Sequence, residues 1–177
     1  LQRLTAAYAM LVNGGREITP SLIDRVQDRN GVTVYRHDRR PCEGCLVAAW
    51  AGGLPPEPPD VRRQIANPAN VYQVVSILRG VVTRGTGRRI AKIGKPLAGK
   101  TGTSNDSVDT WFIGFAPDLA VGVFVGFDKP RSLGPFDSGS NVAAPVFKNF
   151  MEGALADRPA VPFRRPSGVR LVRINPR

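Results

Sequence analysis

The stretch Gly94-Lys95-Pro96-Leu97-Ala98-Gly99-Lys100-Thr101-Gly102-Thr103, GKPLAGKTGT, fits two patterns that demand different folds. Its first eight residues satisfy G-x-x-x-x-G-K-[ST], the phosphate loop, in which lysine and hydroxyl open a helix whose free N–H groups and dipole face phosphate. Its last four, KTGT, group an ammonium and two hydroxyls around a glycine. That grouping suits the rim of a strand receiving a carboxylate, with the glycine letting a ligand lie against the backbone.

The flanking sequence separates the two. Thr101 is followed by Gly102-Thr103-Ser104-Asn105-Asp106-Ser107, polar and turn-forming, and then by an aromatic strand, so no helix starts there. An apolar strand ending in acid, VGVFVGFD to Asp128, imitates the magnesium-binding partner of a phosphate loop. However, Phe115-Ala116-Pro117-Asp118-Leu119 is so short a link that the two strands around it must form an antiparallel hairpin, whereas parallel strands need crossovers of about a dozen residues. Pro96 also removes an N–H that could face phosphate. Phosphate-loop nucleotide binding therefore stands as a remote alternative. The expected core is an antiparallel meander of 96–103, 110–115 and 119–127.

In the third strand Leu119, Val121, Val123, Val125 and Phe127 share one face, and Ala120, Gly122, Phe124 and Gly126 the other. A face so poor in side chains predicts close packing by a helix, assigned to 140–155, where Val142, Val146, Phe147, Phe150 and Met151 line one side. Upstream, 2–12 reads as an amphipathic helix stopped by Asn13-Gly14-Gly15. A hairpin is expected from 22–26 through the turn Asp28-Arg29-Asn30-Gly31 to Val32 and Val34. A Pro-rich surface loop covers 38–63. Asn67-Pro68 then caps a second helix along the stripe Val71, Val74, Val75, Leu78, Val81 and Val82, ending at Gly85-Thr86-Gly87. Beyond Arg158 the Pro- and Arg-rich tail reads as an extended arm.

With 42% hydrophobic and 22% charged residues, the 177-residue chain is able to bury a core. No apolar run approaches the ~18 residues of a membrane span, and the start has neither Met nor a signal-peptide layout. Twenty-five Lys and Arg against 14 acids give a formal charge of +11, a surface attractive to anions of any kind. The basic pairs are scattered and carry no nucleic-acid-binding signature, so a solvated basic surface is the plainer reading. Cys42 and Cys45 are a candidate short-loop disulfide. Inert thiols are the alternative, and a zinc site completed by His37 lacks the second Cys pair it would need.

LAGKTGTSNDSVDTWFIGFAPDLAVGVFVGFD resembles the region of the third motif in the transpeptidase domain of penicillin-binding proteins, especially the bifunctional class A type. AAYAMLVNGG, the P-x-LI-x-RV-x-D-x-x-G hairpin, GVVTRGTGRR and GSNVAAPVFKNFM agree with it. The resemblance implies an α+β, β-lactamase/transpeptidase-like fold, an antiparallel sheet flanked by helices. Residues 1–155 would form the C-terminal portion of that domain, with 156–177 a basic extension. It implies a serine-type D-Ala-D-Ala transpeptidase acting on peptidoglycan stem peptides, acylated by β-lactams, extracytoplasmic, membrane-anchored in its full length and using no cofactor. Lys100 and Thr103 would be catalytic. Thr101, Gly102, Thr103 and Ser104 would bind substrate, and the main-chain N–H of Thr103 would form half an oxyanion hole. Trp111, Phe112 and Phe115 read as core.

One departure matters: every serine here, such as Ser21-Leu-Ile-Asp or Ser104-Asn-Asp-Ser, fails both S-x-x-K and S-x-N, the family's nucleophile and second motifs. The expectation is a portion inactive alone and completed by a missing N-terminal part. The non-enzymatic alternative is a basic module binding cell-wall polymer or a partner protein, without nucleic acid.

Overall fold

The computed structural model describes residues 1–42, 44–45, 47, 49 and 51–172. The elements are α1 (Gln2–Val12), β1 (Arg25–Gln27), β2 (Thr33–Arg36), α2 (Pro68–Thr83), β3 (Ala98–Thr103), β4 (Asp109–Ala116), β5 (Leu119–Gly126) and α3 (Ala143–Ala154), with 3₁₀ turns at Arg88–Ile93 and Asn105–Ser107. They fall into two compact units, Leu1–Ile18 with the chain from Gln64 onward, and Thr19–Arg63.

The larger unit is built on the antiparallel sheet β3-β4-β5. Local sequence sets its helices. Asn67 caps α2 by accepting from Ala69 N at 2.9 Å, and Pro68 supplies a first-turn residue with no N–H to satisfy. α1 ends at Asn13, after which Gly14 and Gly15 take φ of +83° and +84° and Gly15 N donates to Met10 O at 2.8 Å.

Helices cover both faces of the sheet. On one face Ala98 and Phe115 pack with Val75 and Leu78 of α2, with Tyr8, Leu11 and Val12 of α1, and with Phe163 from the tail. On the other, Phe112 meets Ala143, Ala144, Phe147 and Met151 of α3, along with Val82 and Ile90. The rings of Phe112 and Phe147 lie 4.7 Å apart. Although the residues beyond Arg158 form no regular element among those described, Phe163 is buried edge-on to Phe115, with centroids 5.7 Å apart.

The assignment of α3 to the side-chain-poor face of β5 is overturned. A Cβ on Gly122 would fall against Thr5 and Leu1, so α1 covers that face, while Val121 and Val123 turn to the cluster of α3. Size complementarity explains the exchange. Thr5 and Leu1 come so close to Gly122 that a side chain there would collide with them, and Ala120 leaves room for Tyr8, Leu11 and Val12. Phe147 and Met151 of α3 instead fill the wider space over the valines.

Two other differences have local causes. The 3₁₀ turn at Arg88–Ile93 has no amphipathic period to announce it, yet buries Ile90 completely. Trp111, expected in the core, is half-buried: its strand partner is Gly102, and its ring packs on Phe124, itself exposed.

In the smaller unit β1 and β2 pair with a bulge between Val26 and Gln27. Asp28 Oδ1 organises the turn by accepting from Asn30 N at 2.8 Å and Val32 N at 2.9 Å. The strand starts at Arg25 rather than Leu22, because the Ser21 hydroxyl accepts from Ile23 N and donates to Ile23 O, competing with the ladder. The Arg40 guanidinium hydrogen-bonded to Asp38 holds that carboxyl well below the usual carboxylate range. This local tie is fully present above about pH 4 and weakens as pH falls. Cys42 and Cys45 are joined as a disulfide, with Cα atoms 5.5 Å apart.

Phe147→Ala should destabilise the protein by about 3–5 kcal/mol through loss of transfer energy and an unfilled cavity. Phe150→Ala on the exposed side of α3 should stay within about 0.5 kcal/mol. Urea unfolding monitored by circular dichroism separates the two.

Candidate active site

β3 is an outer strand, paired on one side with β4 and, among the described residues, unpaired on the other. Lys100 pairs with Ile113, Thr101 with Phe112, Gly102 with Trp111 and Thr103 with Thr110. Lys100 and Thr101 thus sit inside a strand, with no helix following them. The phosphate loop is not formed, since its anion site needs a helix N-terminus at that lysine.

Alternation puts the Lys100 and Thr101 side chains on opposite faces of the sheet. The structure reconciles them at the rim. Lys100, exposed, folds along the strand so that its Nζ donates to Thr101 O at 2.9 Å, carrying the ammonium to the unpaired edge. That bond also shows which way the Thr101 carbonyl points. In an antiparallel ladder alternate residues direct their N–H and C=O to the same side, so Thr103 also turns its backbone groups outward.

The two threonine hydroxyls share the other face, and each is held by a neighbouring element. Thr101 Oγ1 lies 3.0 Å from Thr86 Oγ1, in the turn that follows α2. Thr103 Oγ1 accepts from Gly139 N at 2.9 Å. An acceptor bond from Gly139 leaves the Thr103 hydroxyl its proton to donate. Gly139 must be glycine for this contact, because a Cβ would lie 2.5 Å from Gly102 O, 2.6 Å from Trp111 O and 3.0 Å from Gly102 N.

Ser104 differs from its neighbours. Its hydroxyl accepts from Asp109 N at 2.7 Å and lies 3.3 Å from Asp109 O, closing the β3–β4 loop. The structure thus brings Lys100, Thr101, Gly102 and Thr103 together on the rim and occupies Ser104 beside it. Sequence reasoning missed Thr86 and Gly139. Thr86 was read only as a helix stop, and Gly139 lies in Ser138-Gly139-Ser140, ahead of the helical pattern.

Residues 1–152 match the family model described as penicillin binding protein transpeptidase domain. The chain belongs to that transpeptidase family. Among its relatives, penicillin-binding protein 1A of Rickettsia prowazekii (strain Madrid E) is 44% identical over 180 residues, covering 99% of this chain and 22% of that protein. Penicillin-binding protein 1A of Neisseria lactamica is 38% identical over 168 residues, 94% of this chain and 19% of that protein. The chain therefore spans about a fifth of the length of these curated relatives.

The crystal structure of penicillin-binding protein 1A from Haemophilus influenzae shares the fold, with a TM-score of 0.74 at 24% identity over 93% of this chain and 27% of that one. So does penicillin-binding protein A from M. tuberculosis, solved as an imipenem acyl-enzyme complex, with a TM-score of 0.58 at 22% identity over 85% of this chain and 30% of that one. The α+β reading, an antiparallel sheet flanked by helices, thus holds for a penicillin-binding transpeptidase domain.

Gly139→Ala should push its loop off β3, release Thr103 Oγ1 and cost about 1–3 kcal/mol. Gly153→Ala, at an exposed position of α3 with open space around it, should stabilise by about 0.4–1 kcal/mol. Thermal unfolding of both variants checks the opposite signs.

Proposed function

We propose that this chain supplies the substrate-binding strand of a serine-type D-Ala-D-Ala transpeptidase that cross-links peptidoglycan stem peptides and is acylated by β-lactams. The observation that carries this is the composition of one open edge: the Lys100 ammonium and the outward backbone of Thr101 and Thr103 on the rim of β3, flanked by anchored hydroxyls.

In this reading Lys100 attracts the terminal carboxylate of the stem peptide or the carboxylate of a β-lactam. Thr101 and Thr103 hydrogen-bond the same ligand. Gly102, without a side chain, lets the peptide lie as an added strand along the edge. A serine oxygen attacks the carbonyl of the penultimate D-Ala, and the Thr103 N–H stabilises the oxyanion that forms. The amide bond breaks, terminal D-Ala leaves with the proton delivered to its nitrogen, and the acyl group passes to an amine of a neighbouring strand. Ser104 serves by holding the loop that positions Thr103.

The nucleophile belongs to other sequence of the protein, because no serine in this chain begins Ser-x-x-Lys. The chain is accordingly inactive by itself and works extracytoplasmically, in a protein anchored to the membrane elsewhere. A feature of β5 supports completion by further chain: its eight residues, LAVGVFVG, contain no charge or proline, the usual protections of a free edge.

Gel fluorescence after exposure to a fluorescent penicillin tests the reading. The intact protein should form a covalent adduct and this chain alone should form none. Lys100→Ala in the intact protein should slow acylation by about 10²-fold, and this penalty should largely vanish for a penicillin ester that lacks the carboxylate. An adduct on the isolated chain, or indifference of acylation to Lys100, sinks the assignment.

A further inference from the structure

Between Gln64 and Asn105 the sequence holds seven Lys or Arg and no Asp or Glu. Five of these cations, Arg79, Arg84, Arg88, Arg89 and Lys92, fall in the last turns of α2 and the 3₁₀ turn beyond it, and all five are exposed. Among the described residues none of the five makes an ion pair, unlike Arg40, Arg62, Lys148 and Arg158. Arg84 has a local use, since its guanidinium lies back over Gly80 at the C-terminal end of α2, where a cation offsets the helix dipole. Arg88, Arg89 and Lys92 have none.

The platform under these charges is rigid and tied to β3. Gly87 N donates to Val81 O at 2.9 Å and Ile90 N to Gly87 O at 2.9 Å, while Val82 and Ile90 are sunk in the core beside Phe112 and Phe147. Thr86, in the middle of this segment, holds the Thr101 hydroxyl. The segment that carries the unpaired cations is therefore joined to the KTGT strand by a fixed hydrogen bond.

Resting on the reading above, we propose that Arg88, Arg89 and Lys92 form a docking surface for the carboxylate-bearing polymer whose peptide end β3 receives. One carboxylate lies at Lys100, and others along the same polymer meet the basic turn. The chemistry around the turn selects this partner. Single-stranded nucleic acid is gripped by aromatic rings set among cations, and no aromatic residue occurs between Tyr72 and Trp111. A lipid surface takes apolar side chains alongside the charges, and no large apolar side chain between Leu78 and Val123 is exposed. Acting beside the site and not in it, these charges raise encounter and retention of the polymer without entering the chemical step.

The test compares the intact protein with its Arg88→Glu/Arg89→Glu variant and with the charge-preserving Arg88→Lys/Arg89→Lys. Three readouts are needed: acylation by a small fluorescent penicillin, KM and kcat with purified peptidoglycan strands across a NaCl series, and cosedimentation with vesicles of equal phosphatidylglycerol and phosphatidylcholine. Charge reversal should raise the polymer KM by about tenfold at low salt, flatten its salt dependence, and leave kcat and penicillin acylation within about twofold. The lysine variant should behave as the parent. An unchanged polymer KM, a parallel fall in penicillin acylation, or loss of vesicle binding with polymer KM intact each overturns the proposal. Failure of the parent to react with penicillin would instead refute the transpeptidase reading; a further measurement, cosedimentation of parent and variants with insoluble peptidoglycan, would then still decide the docking surface.

Discussion

The register of β3 against β4 is the constraint on which the rest depends, and it is fixed by a patch without side chains. Gly99 faces Gly114 across the ladder, and the space they leave is filled from above by Phe112 and Phe147. A Cβ on Gly114 would meet Phe147 Cζ at 2.6 Å, and one on Gly99 would meet Ile113 O at 2.7 Å. A slip of one residue would bring a side chain under the rings and turn every residue of β3 to the wrong face. Lys100 would exchange faces with Thr101, and Thr103 would lose Gly139. A contact in the core thus decides what stands at the rim.

Much of this was legible in the sequence because the signals were short-range. The Asn67-Pro68 cap, the Asn13-Gly14-Gly15 stop, the α2 stripe and the short Pro117-Asp118 link between β4 and β5 are each fixed by neighbours within one or two turns, and each fold element they predicted is present. The antiparallel link, together with the turn-forming residues after Thr101, separated a strand rim from a phosphate loop. What escaped was set by partners distant in sequence. Which helix lies on the glycine face of β5 depends on the fit of Thr5 and Leu1 against Gly122, more than a hundred residues away, and hydrophobic periodicity is blind to that choice. Thr86 and Gly139 matter through single bonds to β3, and neither stands out by residue type.

The division of labour at the site follows from the same geometry. Hydroxyls on one face are fixed by two elements that are themselves fixed in the core, so the conformational cost of ordering them is met during folding, before any ligand arrives. The ammonium is different, because it reaches the edge on a long flexible stem and is parked on a carbonyl. Under the proposed function, an arriving carboxylate would compete only with one neutral acceptor for that charge. Preorganised hydroxyls and a poised cation therefore share a strand only six residues long.

An open strand edge is also a hazard, since unpaired N–H and C=O groups invite any extended chain. The two outer strands handle this differently. β3 is short, carries Lys100, and is preceded by Lys95-Pro96. These features deter indiscriminate pairing while leaving the backbone of Thr101 and Thr103 open at the edge. Under the proposed function, the lysine that would attract a carboxylate also discourages other strands, because an uncharged strand laid on this edge would bury the ammonium without a partner. β5 is longer, uncharged and rich in valine, with nothing to discriminate. The proposed selectivity thus falls on the edge where Lys100 and the two threonines stand.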